Sequence, residues 1–176
     1  NRRVIFENSI DMKSKDGKVR KSAANAYLDE KCDIHMALDA TDQLYTAYAI
    51  HELVHDIKRR SEMDYDIIKE YALEALKKNG QDFEALVKKQ MDKFGYSREV
   101  AEEEVIANTV PAILSDEETI RQMAQSNRGL LERIGEWIRD FISHLEKAFS
   151  RLSKSESFEQ IEALKGDIDS LRRIRD

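Results

Sequence analysis

Residues 34–55 read Ile34-His35-Met36-Ala37-Leu38-Asp39-Ala40-Thr41-Asp42-Gln43-Leu44-Tyr45-Thr46-Ala47-Tyr48-Ala49-Ile50-His51-Glu52-Leu53-Val54-His55, and their periodicity changes partway along. Ile34, Met36 and Leu38 alternate with His35 and Ala37, as in a half-buried strand. From about residue 41 the spacing becomes helical. Asp39 or Thr41 is a candidate N-cap for a helix running to about Arg60. Leu44, Tyr48, His51 and His55 then share one face, broadened by Ala47, Ile50 and Val54. A strand handing over to an amphipathic helix points to an α+β chain.

Working outward, the N-terminal side is strand-like and the C-terminal side helical. Val4-Ile5-Phe6 and Ala26-Tyr27-Leu28 are short strand candidates, Lys15-Asp16-Gly17-Lys18 carries a turn signal, and Asp29-Glu30-Lys31 is the turn into Ile34–Leu38. Beyond Arg60, Ile67, Tyr71, Leu73 and Leu76 mark a second helix ending near Asn79-Gly80. Phe83, Leu86, Val87 and Met91 mark a third, ending near Gly95. Ser97 caps a fourth, which reaches Pro111 and is expected to bend or break there. Ser115-Asp116-Glu117-Glu118 reads as a capping box opening a short helix to about Ala124. A long helix from about Arg128 carries the stripe Leu131, Ile134, Trp137, Ile138, Phe141, Leu145 and Phe149. After a break at Ser153-Lys154-Ser155, Phe158, Ile161, Leu164, Ile168 and Leu171 share a face. The expected organisation is one predominantly α domain over 1–176: a small sheet (1–40), helices carrying the functional site (41–126) and C-terminal amphipathic helices (127–176).

Composition narrows the function classes. A net charge of −6, with the two signs interleaved, leaves no basic footprint for nucleic acid. No apolar run has transmembrane length and no signal peptide is visible. The single cysteine, Cys32, excludes an internal disulfide, which fits a cytoplasmic location. Cys32 reads as a plain core or edge thiol, because no partner motif for a nucleophile accompanies it. The chain begins at Asn1 with residues already strand-like, so it is expected to be part of a longer polypeptide.

Within the helical stretch, His51-Glu52-Leu53-Val54-His55 is an HExxH motif. Positions i and i+4 lie on one helix face, so two imidazoles can reach one metal ion with Glu52 beside it as a proton acceptor for water. Catalytic zinc takes three protein ligands and keeps a position for water. Candidates for the third are His35, His144 and the acidic run Glu102-Glu103-Glu104. Glu104 and Asn108, four apart, face the same way, so Glu104 can bind metal while Asn108 hydrogen-bonds a ligating histidine. Glu103 and Glu102 point about 100° and 200° away and are expected on a solvated face. Val105, Ile106 and Ala107 favour an inward role for Glu104.

With these residues in place, the chain resembles the gluzincins, zincin-like metallopeptidases with HExxH followed by Glu-x-x-x-Asn/Asp, including thermolysin-like and ImmA/IrrE-type enzymes. It is more closely similar to peptidase domains of large polyvalent proteins from phages and integrative conjugative elements. The similarity spans roughly residues 20–150. It is carried by Ala24–Tyr27, Ile34–Leu38, Ala49–His55 and Tyr96–Glu118, with the Trp137 helix in addition. The resemblance implies a Zn2+ cofactor, Glu104 as third ligand, and a bacterial, mobile-element origin in the cytoplasm. Two departures stand out. Asp56 follows the second histidine where that class usually has an uncharged residue. The tyrosine or histidine that stabilises the oxyanion is not singled out, with Tyr96, Tyr65 and His144 as candidates.

The expected activity is hydrolysis of a protein or peptide substrate, with Glu52 taking a proton from water and returning it to the leaving amine. Ile34, His35, Met36, Ala37 and Leu38 are expected to form an edge strand with which an extended peptide could pair. Two other readings compete. One is a catalytically idle zincin-fold binding module within a larger mobile-element protein. The other is an interaction protein using the amphipathic faces of residues 128–176.

Overall fold

Asp29 organises the first long-range feature of the chain. In the computed structural model, which describes residues 4–7, 10–13, 19–24, 26–31, 33–37 and 45–151, its carboxylate accepts hydrogen bonds from the N–H groups of Lys31 and Asp33 at 2.9 and 2.8 Å. That turn folds β4 (Ala26–Leu28) antiparallel onto β5 (Ile34–Ala37), pairing Tyr27 with His35. On the other side of β5, β1 (Val4–Glu7) pairs in parallel, Ile5 with His35 and Glu7 with Ala37. The sheet order is therefore β1-β5-β4.

This order corrects the expectation that Ile34, His35, Met36, Ala37 and Leu38 form an edge strand. β5 is the middle strand, with both rows of backbone groups engaged, and Met36 and Ala37 are fully buried. An added peptide strand would find no unpaired backbone there. Among the described residues the edges of this sheet are β1 and β4. A second element was not anticipated: β2 (Ile10–Lys13) and β3 (Val19–Ala24) form an antiparallel ribbon with an irregular register between Ile10 and Met12.

The described helices follow the punctuation of the sequence closely. α1 is Tyr45–Arg60. α2 (Glu62–Lys78) starts at Ser61, whose side chain accepts from Asp64 N–H. α3 (Phe83–Phe94) is capped by Asp82 and stopped by Gly95, whose φ of 71° is a left-handed conformation that glycine adopts without strain. α4 (Arg98–Ile113) is capped by Ser97. Pro111 does not break it as expected: the helix runs to Ile113, because a proline in the last turn removes only one helical hydrogen bond. The cap of α5 (Glu117–Ser126) is also one residue later than expected. Asp116 accepts from Glu118 N–H, while Ser115 instead donates its hydroxyl to the Pro111 carbonyl. α6 is Arg128–Arg151, with Ile134, Trp137, Ile138 and Phe141 buried at helical spacing and Trp137 stacked on Phe141 at 5.1 Å.

The chain is thus α+β and predominantly α. It divides into two compact units, Asn1–Glu52 with Glu132–Asp176, and Leu53–Leu131. The division runs inside α1 and α6. In the second unit, α2, α3 and α4 enclose Leu76, Val87, Ala101 and Val105, with Phe83, Leu86 and Met91 packed against them. Burying such side chains contributes about 1.5–3 kcal/mol each for the larger ones. That core holds α4 in place. Among the described residues, no helix is long and apolar enough to cross a membrane. Cys32, Leu38, the candidate caps Asp39 and Thr41, the Lys15–Lys18 turn, the Ser153–Ser155 break and the stripe from Phe158 to Leu171 lie outside the described residues.

Candidate metal centre

α1 presents His51 and His55 one turn apart, both half-buried, with Leu53 and Val54 between them fully buried. α4 supplies a carboxylate: one donor atom each from His51, His55 and Glu104 lies within 4.8 Å of the others. His55 Nε2 is 3.6 Å from Glu104 Oε1. Zinc bonded at about 2.0–2.1 Å in a tetrahedron separates neighbouring donors by about 3.4 Å. Two imidazole nitrogens and one carboxylate oxygen at this spacing fit the donor set of a catalytic zinc, though other divalent cations accept similar ligands.

The surroundings of His55 orient it. Glu103 Oε1 lies 2.6 Å from His55 Nδ1. Burial pushes the Glu103 carboxyl up, but the hydrogen bonds from His55 and Lys58 outweigh it and the net direction is down. Glu103 is therefore an ionised acceptor, and Nδ1 is the donor. The other nitrogen, Nε2, lies on the side of Glu104. Lys58, one turn beyond His55 on α1, donates to Glu103 Oε2 at 2.8 Å, and its ammonium lies 5.3 Å from the Tyr65 ring centroid. Burial alone would lower the Lys58 ammonium, but Glu103 and Glu99 raise it overall. Glu104 is raised, first by burial and further by the charge of Glu103, with His55 partly offsetting both. A nearby cation would reverse that direction.

The expectation of a solvated face for Glu102 and Glu103 is overturned. Their side chains are only 23% and 19% exposed. Glu102 pairs with Arg98 at 2.8 Å and with Lys69 at 3.4 Å. Packed against α2 and α3, α4 is covered on more than one side, so an angle of about 100° from Glu104 does not lead to water. Glu103 fills the role on His55 that the four-residue spacing had given to Asn108. Asn108 is exposed and lines a pocket instead.

Glu52, the candidate proton acceptor, is buried on α1. Asp56 is also buried, at 2% exposure, and accepts from Arg60 Nε at 2.9 Å, so it is no surface residue. Of the oxyanion candidates, Tyr96 lies in the chain between α3 and α4, with its phenol raised by burial first and then by the Glu104 charge. Tyr65 is buried, and its phenol is raised by burial first and then by Glu103 and Glu102. His144 donates from Nδ1 to the Asp140 carbonyl one turn back in α6. His35 belongs to a different environment. Its Nδ1 is hydrogen-bonded to Glu7, its Nε2 lies 3.5 Å from Asp29 Oδ2, and its ring stacks on Tyr27 at 4.4 Å.

Compared with protein-family models, curated proteins and solved structures, the chain matches none.

Proposed function

We propose that this chain is a zinc-dependent peptidase of zincin-like fold, with His51, His55 and Glu104 holding the metal. The observation that carries the reading is the meeting of the HExxH histidines on α1 with a carboxylate from α4. The resemblance of the HExxH and Glu104-x-x-x-Asn108 pattern to gluzincins supports the same assignment. Bound zinc lowers the pKa of water and polarises a carbonyl group.

The remaining work falls to the chain itself. The Glu52 carboxylate accepts the proton of the attacking water and releases it to the nitrogen of the departing amine, so one group serves as base and then as acid. Glu103 holds the Nδ1 proton of His55 and so keeps Nε2 available as a ligand. Lys58 fixes Glu103 in turn and keeps it ionised. Burial around Glu52 and Glu104 limits competing water and strengthens each electrostatic contact.

Metal analysis and proteolysis of unfolded casein test this together. One zinc per chain, lost in His51→Ala, and casein cleavage lost in Glu52→Gln with zinc retained, are the expected results. Zinc retained by wild type with casein left intact would favour the idle binding module.

A further inference from the structure

A second feature lies wholly within the Leu53–Leu131 unit. α2, α3, α4 and α5 wall a pocket of ≈ 680 Å³, within the usual size range of ligand sites. We infer that this pocket holds a stretch of the polypeptide substrate on one side of the bond to be cut. The inference rests on the peptidase reading above and extends it to substrate recognition.

The lining chemistry selects a peptide over a charged small molecule. Lys78, Lys89 and Lys93 are matched by Glu74, Asp116 and Glu118. Two of these cations are already engaged: Lys78 lies 3.7 Å from Asp116, and Lys93 sits over the Phe94 ring at 4.7 Å. A phosphate or other anion would need an excess of positive charge, which this balance does not provide. The notable density is of carboxamides: Asn79, Gln81, Gln90, Asn108 and Gln122. Each carboxamide offers both an acceptor and donors, the complement of a peptide group. Partly buried Leu86 and exposed Phe94 add apolar surface for side chains.

Two features connect the pocket to Glu104. Asn108 lines it from the same face of α4, one helical turn, about 6 Å, further along. Phe94 lines it as well and stacks on Tyr96 at 5.3 Å, just ahead of the start of α4, the helix that carries Glu104. Phe94 and Tyr96 are 50% and 37% exposed, an aromatic pair left open beside the pocket. Exposed aromatic surface of this kind is common at recognition sites.

The test compares a long and a short substrate. Unfolded casein can occupy the pocket while being cut. A pool of end-blocked dipeptides spans only about 7 Å and cannot fill both places. Two variants alter exposed lining positions: Ala112→Phe fills the space, and Gln81→Ala with Gln122→Ala removes carboxamides. Both are expected to raise KM for casein by about tenfold with kcat unchanged. Dipeptide turnover and zinc content should not change. An unchanged casein KM, or an equal loss on both substrates, overturns the inference while leaving the peptidase reading intact. If wild type cleaves neither substrate, the peptidase reading fails and binding decides the pocket separately. Casein fragments that shift side-chain amide NMR signals in wild type but not in Ala112→Phe then uphold it as a polypeptide site, and no shift overturns it.

Discussion

Two histidine–carboxylate clusters in this molecule share a composition and differ in arrangement. On the three-stranded sheet, one imidazole, His35, has Glu7 on Nδ1, Asp29 near Nε2 and Tyr27 against its face. Nδ1 is taken by Glu7 and the buried Nε2 has no hydrogen-bond partner, but among the described residues no second imidazole converges with this ring. On α1 and α4, Glu103 takes only Nδ1 of His55. Nε2 faces Glu104, and His51 brings a second imidazole nitrogen to the same place. The contrast teaches that acidic residues around a histidine do not make a metal centre. A metal centre needs several donor atoms converging with room for an ion, while other groups hold the outer nitrogens.

The largest expected effect tests that contrast directly. His51→Ala should weaken zinc binding by more than about a thousandfold, since each ligand carries a large share of the binding free energy. His35→Ala should leave it unchanged. Competition with a chromogenic chelator measures both, and equal losses would erase the distinction between the clusters. Next, Glu52→Gln should lower kcat on casein by about a hundredfold to ten-thousandfold with zinc content intact. A variant that keeps its rate would remove Glu52 from the proton transfer.

A smaller effect sharpens the role of the outer carboxylate. Glu103→Gln should cost about 10–100-fold in zinc affinity, the usual consequence of loosening a ligating histidine. An unaltered affinity would reduce the Glu103–His55 bond to packing. The smallest effect comes from a carboxylate with no histidine beside it. Asp116 is held below the usual range by the Thr119 hydroxyl and the Glu118 N–H. A lowered carboxyl pKa contributes stability above the unfolded value, 3.8, and loses it as pH falls through the folded one. The Tm gap between wild type and Asp116→Ala should therefore be present near neutrality and close below that pH. A gap that persists in acid would show that the charge of Asp116 is not what caps α5.

Local signals make much of this structure readable in the sequence, whereas non-local relations leave little trace in it. Helix caps at Ser97 and the stop at Gly95 are properties of a few adjacent residues, and they fall where expected. The pairing of His51 with His55 is likewise a matter of helical spacing, and the four-residue relation of Glu104 to Asn108 singles out the turn of α4 whose carboxylate lies near His55. Strand adjacency is different. The alternation in Ile34–Leu38 identifies a strand but says nothing of its neighbours, so it does not separate a middle strand from an edge. The β2–β3 ribbon escaped because Arg20-Lys21-Ser22 carries no apolar alternation. Glu103 departs from expectation because the helical angle from Glu104 does not by itself set solvent exposure. Lys58, three residues beyond His55 on α1, was the available hint of a partner for that carboxylate.

The central claim is that one divalent ion is shared by α1 and α4. Crystals grown with zinc and measured across the zinc absorption edge test it most directly. The account predicts a single anomalous peak bonded to His51, His55 and Glu104, with His55 Nδ1 still on Glu103. Zinc in excess with these three side chains carrying no peak would contradict it.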